Sequence, residues 1–330
     1  MTPPDGAAVR GAWPTVRRTI ARSRTVARSR TVAALALVAA LLCTGCAAAA
    51  DDAAPAGRPM VIGAIPDQDT DKLQEIYGAT ARYLSAQLGT PVEFRPVTDY
   101  PAAVSQFRTG RLDLVFFGGL TGVQARLQTP GAAVLVQRDI DDDFRSVFIA
   151  GAGAGLAPMT SAAGLTRLRG HTFTYGSQSS TSGYLMPAYH LQQAGMDPQR
   201  DFTGRPGFSG SHDKTVDLVA SGSYAAGVLN QQVWQRRLDA GTVDPRKVIE
   251  LWRTPRYADY HWLLGPSATR DFGPGVGEQI TAAFLRLSTA DPEGAALLKL
   301  FGATSFVRAG EGDYRQIEQI GRRLGLVRPG

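Results

Sequence analysis

From Met60 onward, the chain alternates short apolar runs with longer stretches in which apolar residues recur at helical spacing. The run MVIGAI at 60–65 is typical of a buried strand, and the stripe from Leu73 to Leu88 predicts a helix that ends at Gly89. The same criteria predict strands at 92–97, 113–117, 132–137 and 146–150, and helices at 100–110 and 118–128. Strands and helices therefore alternate through the first half of the folded part.

The second half of the chain repeats this alternation. Strands are predicted at 171–176, 225–229, 247–252 and 261–265, and helices after Ser180, after Ser211, at 231–238 and near residues 282, 297 and 319. This order predicts the α/β class, with mostly parallel sheets that carry helices on both faces. The length favours two α/β lobes, and in such folds ligands bind at the carboxyl ends of strands, where helices begin.

The segment before Met60 has a different pattern. Arginine-rich residues 10–30 precede the apolar run 32–42, and small residues follow at 44–46. Charged, apolar and small-residue regions in this order are typical of an export signal. The apolar run has 11 residues, whereas a bilayer-spanning helix needs about 20.

The small residues Thr44-Gly45-Cys46 resemble the end of a bacterial lipobox, although Cys43 stands where leucine is usual. We therefore predict a lipoprotein signal peptide at 1–45, lipidation of Cys46 and a flexible tether at 46–58. An ordinary cleaved signal or a short membrane anchor is the alternative.

The charge is distributed unevenly between these regions. The chain carries 35 Lys and Arg against 29 Asp and Glu, a net charge of +6. Residues 1–45 contain seven arginines and one acidic residue, so they account for the whole excess, and the remainder is formally neutral. No nucleic-acid partner is predicted, because such a partner requires a basic face for phosphate contacts. Cys43 and Cys46 are the only cysteines, and cleavage before Cys46 would leave no pair for a disulfide.

Hydroxyl side chains cluster where a predicted strand meets a helix. Ser180, Thr181 and Ser182 follow the strand and open the helix. Free N–H groups and the positive dipole at a helix start favour an oxyanion there, and the hydroxyls add further donors. The alternative is that these residues only cap the helix and form the preceding turn.

Further donors stand before other predicted helices. Ser211 and His212 precede a helix in the second half, and His212 can donate to an anion. In the first half, Asp67, Tyr100 and Gly119 follow strands or open helices. These groups would converge on one ligand if the helix starts face one cleft, although a single histidine is more often structural.

Sequence patterns for catalysis are absent. The segment GFSGS at 207–211 departs from the nucleophile elbow G-x-S-x-G at its last position. The four histidines lack H-x-x-x-H and H-E-x-x-H spacing, and neither GxGxxG nor GxxxxGK[ST] occurs. We therefore predict ligand binding without an enzymatic reaction, a metal or a cofactor. An exported enzyme or signalling lobe with the same fold is the alternative.

Longer segments resemble one family, the solute-binding lipoproteins of ABC importers for phosphate, phosphite and phosphonate. The resemblance covers most of 60–265 and rests on YPAAV at 100–104, GRLDLVFFGG at 110–119, STSGYLMP at 180–187 and SGSHDKTV at 209–216. A branch assigned to selenate binding is similar in AIPDQ at 64–68, VTDYPAAV at 97–104, FFGGLTGVQARLQTPGA at 116–132 and WRTPRYADYHW at 252–262.

The resemblance implies a type II periplasmic-binding-protein fold, in which the chain crosses twice between two lobes that close on the ligand. The first lobe would comprise 59–148 and the second 149–252, and 253–330 would return to the first. In the family the hydroxyl run and the following histidine hold the oxyanion, and a tyrosine contacts it from the first lobe. The ligand-binding residues implied or predicted are Asp67, Tyr100, Gly119, Ser180, Thr181, Ser182, Ser211, His212, Tyr257 and Asp259.

The resemblance also implies an exported, lipid-anchored monomer that works with an ABC permease and its ATPase. Two departures concern the ligand. The segment Phe144-Arg145-Ser146 stands where many relatives have tyrosine before S-V, and Ala225 replaces the aspartate of G-x-x-D-A-G, which disfavours an aminoalkylphosphonate. Monohydrogen phosphate needs an acceptor for its proton, whereas selenate and sulfate need donors only. Asp213 or Asp259 can supply an acceptor, so the oxyanion stays open at this point.

Overall fold

The computed structural model describes residues 57–327, which form two α/β lobes, each built on its own sheet. The predicted signal peptide and residues 46–56 of the predicted tether lie outside the described residues. No helix within 57–327 combines the length and the apolar character that a membrane crossing requires.

Eleven strands and ten α-helices lie within the described residues. The strands are β1 (Met60–Ala64), β2 (Val92–Phe94), β3 (Leu114–Phe117), β4 (Ala133–Arg138), β5 (Ser146–Gly151), β6 (Phe173–Tyr175), β7 (Gly207–Phe208), β8 (Ala226–Asn230), β9 (Val248–Arg253), β10 (His261–Leu264) and β11 (Phe306–Arg308). The helices are α1 (Thr70–Leu88), α2 (Tyr100–Arg108), α3 (Gly119–Leu127), α4 (Met186–Gln193), α5 (His212–Ala220), α6 (Gln231–Asp239), α7 (Pro266–Phe272), α8 (Val276–Arg286), α9 (Pro292–Phe301) and α10 (Arg315–Arg323).

The first lobe contains the sheet β11-β4-β10-β3-β1-β2, and the second contains β7-β6-β8-β5-β9. The prediction of mostly parallel sheets is wrong, because antiparallel pairs of strands are at least as common as parallel ones within the described residues. β5 lies antiparallel between β8 and β9, and β10 lies antiparallel between β3 and β4. β5 and β10 are each the first strand after the chain crosses from one lobe to the other. Each therefore runs antiparallel to the two strands beside it.

Three elements of the structure were not predicted, namely β7, α7 and β11. The two strands have two and three residues, too few to show a hydrophobic period. Helix α7 is a short helix that begins at Pro266, a good first helical residue. These elements lie at sheet edges or on the outside of the first lobe, so the layers of the fold do not depend on them.

Two segments connect the lobes, 139–145 between β4 and β5 and 254–260 between β9 and β10. They pair with each other, because Phe144 and Tyr257 exchange both backbone hydrogen bonds, at 3.1 and 3.0 Å. The lobe boundary predicted at residue 149 falls inside β5, which belongs to the second sheet throughout. The passage between the lobes therefore ends before Ser146.

Buried apolar side chains form one core in the first lobe and two in the second, one on each face of its sheet. In β5, Val147 and Ile149 face one of these cores while Phe148 and Ala150 face the other, as the twofold repeat of a strand requires. The core of the first lobe also includes Leu185 from the second lobe. The lobes therefore share an apolar contact beside the start of α4.

Candidate functional site

The hydroxyl run opens a helix of unusual geometry. Residues Thr181–Leu185 form a π-helical turn that continues into α4, and the N–H of Leu185 donates to the carbonyl of Ser180, five residues back, at 3.0 Å. Ser180 Oγ caps the turn by accepting from the N–H of Gly183 at 2.9 Å. π-Helical turns are rare and often occur at functional sites. First-turn N–H groups, such as those of Thr181 and Ser182, have no intrahelical acceptor and so suit an anion.

The three hydroxyls of this run have different surroundings. Ser180 is a helix cap, as the alternative interpretation required. Thr181 Oγ1 accepts from the N–H of Leu120 in the first lobe at 3.0 Å. Ser182 is fully buried, and its Oγ has no hydrogen-bond partner within the described residues. Because an unpaired buried hydroxyl costs free energy, Ser182 is the hydroxyl available to a ligand.

His212 begins α5 and presents one free ring nitrogen. Its backbone N–H donates to the carbonyl of Asp67 in the first lobe at 2.9 Å, and its Nδ1 accepts from the N–H of Asn230 at 3.3 Å. Since Nδ1 is an acceptor, the proton of the neutral ring lies on Nε2, which is buried without a partner in 57–327. Burial, with the charge of Arg236, lowers the pKa of His212 to about 3. His212 is therefore a neutral N–H donor.

Gly183 lets the histidine ring approach the hydroxyl run. A Cβ at this position would lie 3.2 Å from His212 Cε1 and 3.0 Å from Ser180 Oγ. Such separations are below ordinary van der Waals contact, so a larger residue would displace the ring or the cap. Gly183 thus allows the His212 ring to lie close to the Ser180 cap at the start of the helix.

Asp259, at the end of the second crossover, supplies a buried acceptor. Its Oδ1 accepts from the N–H of Gly119, the first residue of α3, at 2.8 Å. Its Oδ2 has no partner within the described residues. Burial raises the pKa of Asp259 to about 7. Gly119, a predicted ligand contact, thus uses its N–H to orient this carboxyl.

Asp67 follows β1 and is held by a chain of hydrogen bonds. The hydroxyl of Tyr260 donates to Asp67 Oδ2 at 2.7 Å, and Asn230 Nδ2 donates to the same hydroxyl at 3.1 Å. Burial raises the pKa of Asp67 to about 6, although the bond from Tyr260 opposes the shift. These hydrogen bonds connect Asp67 in the first lobe to Asn230 at the end of β8 in the second.

Tyr100 opens α2, whose N-terminus is capped by Asp99 through a 2.7 Å bond from the N–H of Ala102. The Tyr100 hydroxyl is buried without a partner in the described chain. Burial, together with the charges of Asp67 and Asp259, raises the pKa of Tyr100 well above its usual value. This side chain is therefore an O–H donor near both carboxyl groups.

All ten predicted ligand-binding residues are buried. Four of them carry the unpartnered atoms described above, Tyr100 OH, Ser182 Oγ, His212 Nε2 and Asp259 Oδ2, and we call these atoms the recognition set. The other six already bond within the protein: Asp67, Gly119, Ser180, Thr181, Ser211 and Tyr257. No group of three or more His, Cys, Asp or Glu side chains within 57–327 is arranged to hold a metal ion.

Two other predicted features lie away from the recognition set. Asp213, the second candidate acceptor, accepts from Arg236 with both carboxylate oxygens at 3.0 Å. Ala225 precedes β8, at the opposite end of that strand from Asn230. Five residues of strand span roughly 16 Å, so position 225 lies about that far from Asn230. That the absent aspartate disfavours an aminoalkylphosphonate stays a prediction.

Three buried residues that support the set were not predicted, namely Asn230, Tyr260 and Arg138. Asn230 ends β8 and caps α6 by accepting from the N–H of Val233 at 2.7 Å, a strand-to-helix signal that the sequence contains. Tyr260 adjoins Asp259, and the guanidinium carbon of Arg138 lies 4.9 Å from the centre of its ring. No local pattern indicates the Arg138 contact, because it joins β4 to the second crossover.

The match to known proteins extends over most of the described chain. Residues 62–314 match the family described as "ABC transporter, phosphonate, periplasmic substrate-binding protein". The chain belongs to this family. This binding protein is 43% identical over 269 residues to the probable ABC transporter phosphite binding protein PhnD1 of Prochlorococcus marinus, covering 82% of this chain and 91% of that protein.

Two further comparisons extend this result. The solved structure of PhnD1 from Prochlorococcus marinus in complex with methylphosphonate matches with a TM-score of 0.79 at 43% identity, covering 82% of this chain and 100% of that one. The phosphate-import protein PhnD of Mycolicibacterium smegmatis is 26% identical over 235 residues, 68% of this chain and 70% of that protein.

Family membership confirms the predicted type II periplasmic-binding fold and the predicted place in an ABC importer. Members of the family are exported transport proteins that present a small ligand to a permease and its ATPase, and they are not enzymes. The family thereby confirms ligand binding without catalysis.

Proposed function

We propose that this binding protein captures a phosphorus oxyanion that carries one ionisable proton, of the phosphite, methylphosphonate and phosphate class, and delivers it to its permease. The observation that carries the proposal is the recognition set, in which three buried donors and one buried acceptor, Asp259 Oδ2, all lack a partner within the described residues. The relatives support this class, since one is named for phosphite and solved with methylphosphonate, and another is named for phosphate import.

The donors suit the negative oxygens of such a ligand. The hydroxyls of Tyr100 and Ser182 and the neutral ring of His212 each offer one proton, and the π-helical turn adds backbone N–H groups. Hydrogen bonds to a charged oxygen in a buried site are stronger than those between neutral groups. Since residues 46–330 are formally neutral, the anion would be held by these local donors instead of by the overall charge.

The acceptor distinguishes phosphorus oxyanions from those of selenium and sulfur. A monoprotonated phosphonate or phosphite has an O–H that can donate to Asp259 Oδ2, whereas selenate and sulfate are fully deprotonated near neutral pH. Beside an ionised Asp259, selenate would bring two acceptors into contact, which is unfavourable. We therefore propose that selenate, suggested by the longer matching strings, is not the transported ligand.

Isothermal titration calorimetry of the purified protein tests the ligand class. At about pH 8, where Asp259 with its pKa of about 7 is mostly ionised, at least one of phosphite, methylphosphonate and phosphate should bind about tenfold or more tightly than selenate or sulfate. Ser182→Ala should weaken that binding roughly 10- to 100-fold, because one charge-assisted hydrogen bond is lost. The matched control is Ser221→Ala, which removes an exposed hydroxyl of the same lobe. Absence of heat with every phosphorus ligand, or tightest binding of selenate, would reject the proposal.

We propose further that a lipid on Cys46 holds the protein, as a monomer, at the outer face of the cell membrane. The support is the Thr44-Gly45-Cys46 segment after the apolar run 32–42. Mass spectrometry of the membrane-extracted protein should show an acylated N-terminal Cys46, and Cys46→Ser should release the protein from membranes. Recovery of wild-type protein in the soluble fraction, without a lipid, would contradict the anchor.

A further inference from the structure

Two side chains of α6 reach from the second lobe to the first. Gln232 and Arg236 are four residues apart, so they lie on the same face of the helix, one turn after the other. Neither side chain bonds to an atom of the recognition set. Both line a groove of about 870 Å³ that runs between the lobes.

Gln232 makes three hydrogen bonds to the first lobe. Its Oε1 accepts from Arg138 Nη1 at 2.6 Å, and its Nε2 donates to the carbonyls of Phe301 and Gly302 at 3.2 and 3.3 Å. These carbonyls lie at the C-terminal end of α9, where backbone acceptors lack intrahelical partners. Only an amide side chain supplies the acceptor and the donors that this arrangement uses.

Gly302 allows this contact because it has no side chain. Its φ of +63° lies in the left-handed region, which favours glycine after a helix. A Cβ there would stand 2.9 Å from Gln232 Nε2. The end of α9 therefore leaves room for the amide of the opposite lobe.

Arg236 forms the second contact. Its guanidinium donates to Gln68 Oε1 in the first lobe, while both carboxylate oxygens of Asp213 hold it in place at 3.0 Å. Gln68 adjoins Asp67, whose carbonyl accepts from the N–H of His212. The Arg236 contact thus closes the side of the cleft next to that bond.

We propose that Gln232 and Arg236 form an interlobe latch, which stabilises the closed arrangement of the lobes and slows ligand release. The proposal rests on the proposed function, because it concerns the closure of that same site. A contact present only when the lobes are closed lowers the free energy of the closed form whichever ligand is inside. It therefore tightens binding of every ligand by one common factor, which distinguishes a latch from a ligand contact.

Calorimetry and stopped-flow dissociation of Gln232→Ala and Gln68→Ala with methylphosphonate and phosphite test the latch. Gln68→Ala removes the acceptor of Arg236 without removing the charge of Arg236. Each variant should bind both ligands about 3- to 30-fold more weakly, by the same factor for each, with the change mainly in the dissociation rate. Gln235→Ala is the matched control, because Gln235 lies on the same helix and, among the described residues, its side chain bonds to Asp239 of that helix and not to the first lobe. This control should behave as wild type.

Two additional measurements keep the test decisive. Gln232→Glu retains the acceptor for Arg138 but loses the donation to the two carbonyls of α9, so it should weaken binding in the same direction without an emptied side chain. Small-angle X-ray scattering at subsaturating ligand should show larger radii of gyration for the three latch variants than for Gln235→Ala. Melting temperatures within a few degrees of wild type would exclude unfolding as the cause.

Wild-type affinities and dissociation rates in all three variants would overturn the latch. A changed ratio of the affinities for methylphosphonate and phosphite would overturn it too, because it would place Gln232 or Gln68 at the ligand. If the wild-type protein bound no phosphorus oxyanion, the proposed function would fail instead. The latch would then be judged by hydrogen exchange of the interlobe bonds, which should be faster in Gln232→Ala than in Gln235→Ala. Equal exchange would reject it.

Discussion

Asp259→Asn is expected to reverse the ligand preference of the recognition set. The new Oδ1 can keep the bond from the N–H of Gly119, which orients the amide so that its NH₂ group replaces the unpartnered Oδ2. The set then consists of four donors. At a pH low enough for methylphosphonate and phosphite to keep their proton, they should bind roughly 10- to 100-fold more weakly, because that proton loses a charged acceptor. Sulfate and selenate should gain affinity, which calorimetry with all four ligands would measure.

The pH dependence of sulfate binding gives a second readout of the same carboxyl group. Sulfate can bind next to Asp259 only when that group is protonated, and burial raises its pKa to about 7. Above this pH the carboxyl must take up a proton on binding, so sulfate affinity in the wild-type protein should fall about tenfold per pH unit. Below it the affinity should level off. In Asp259→Asn this dependence should disappear.

Asp142→Asn is the matched control for both measurements. Asp142 lies in the first crossover and is exposed, so the same chemical change there should leave affinities and pH dependence as in wild type. If Asp259→Asn kept the wild-type order of ligands, Oδ2 would not be the acceptor of the ligand's proton, and the argument against selenate would lose its basis.

Local signals in the sequence predicted where the helices of the site begin, but not which of their polar atoms remain available. Ser180, Ser182 and Ser211 look alike in the sequence, since each is a hydroxyl near a helix start. In the fold, Ser180 and Ser211 accept from helix N–H groups, whereas Ser182 Oγ is left without a partner among the described residues. The difference depends on the π-helical turn, which the hydrophobic pattern does not indicate.

The contacts that the sequence did not predict join residues far apart in the chain. Gly119 and Asp259 are 140 positions apart, and they meet because β3 and β10 are adjacent and antiparallel. The direction of β10 follows from how the chain returns from the second lobe, and the alternation of strands and helices does not encode it.

Arg138→Met is expected to cause a large loss of stability. Arg138 and Asp141 are both buried, and the guanidinium donates to the two carboxylate oxygens at 2.9 and 2.6 Å. Methionine keeps an unbranched apolar stem but leaves the charge of Asp141 buried without its partner, which costs about 3–5 kcal/mol. Urea denaturation should show a loss of that size in the free energy of unfolding.

Arg308→Met is the matched control, because Arg308 pairs with Glu278 at 2.8 Å on the surface. Exposed pairs contribute at most about 1 kcal/mol, so this variant should unfold nearly as wild type. Equal losses in the two variants would show that burial of the Arg138 pair does not matter, and would contradict the prediction.

A second substitution separates the unpaired charge from lost packing, because Arg138 also lies against the rings of Phe116 and Tyr260. Asp141→Asn removes the charge, and its amide oxygen can still accept from the N–H of Arg138 or of the residue that replaces it. If the unpaired charge causes the loss, Arg138→Met with Asp141→Asn should be more stable than Arg138→Met alone. If lost packing causes it, the second change should bring no recovery. Since Tyr260 donates to Asp67, recovery of stability without recovery of ligand affinity would show that Arg138 positions the binding site as well as stabilising the fold.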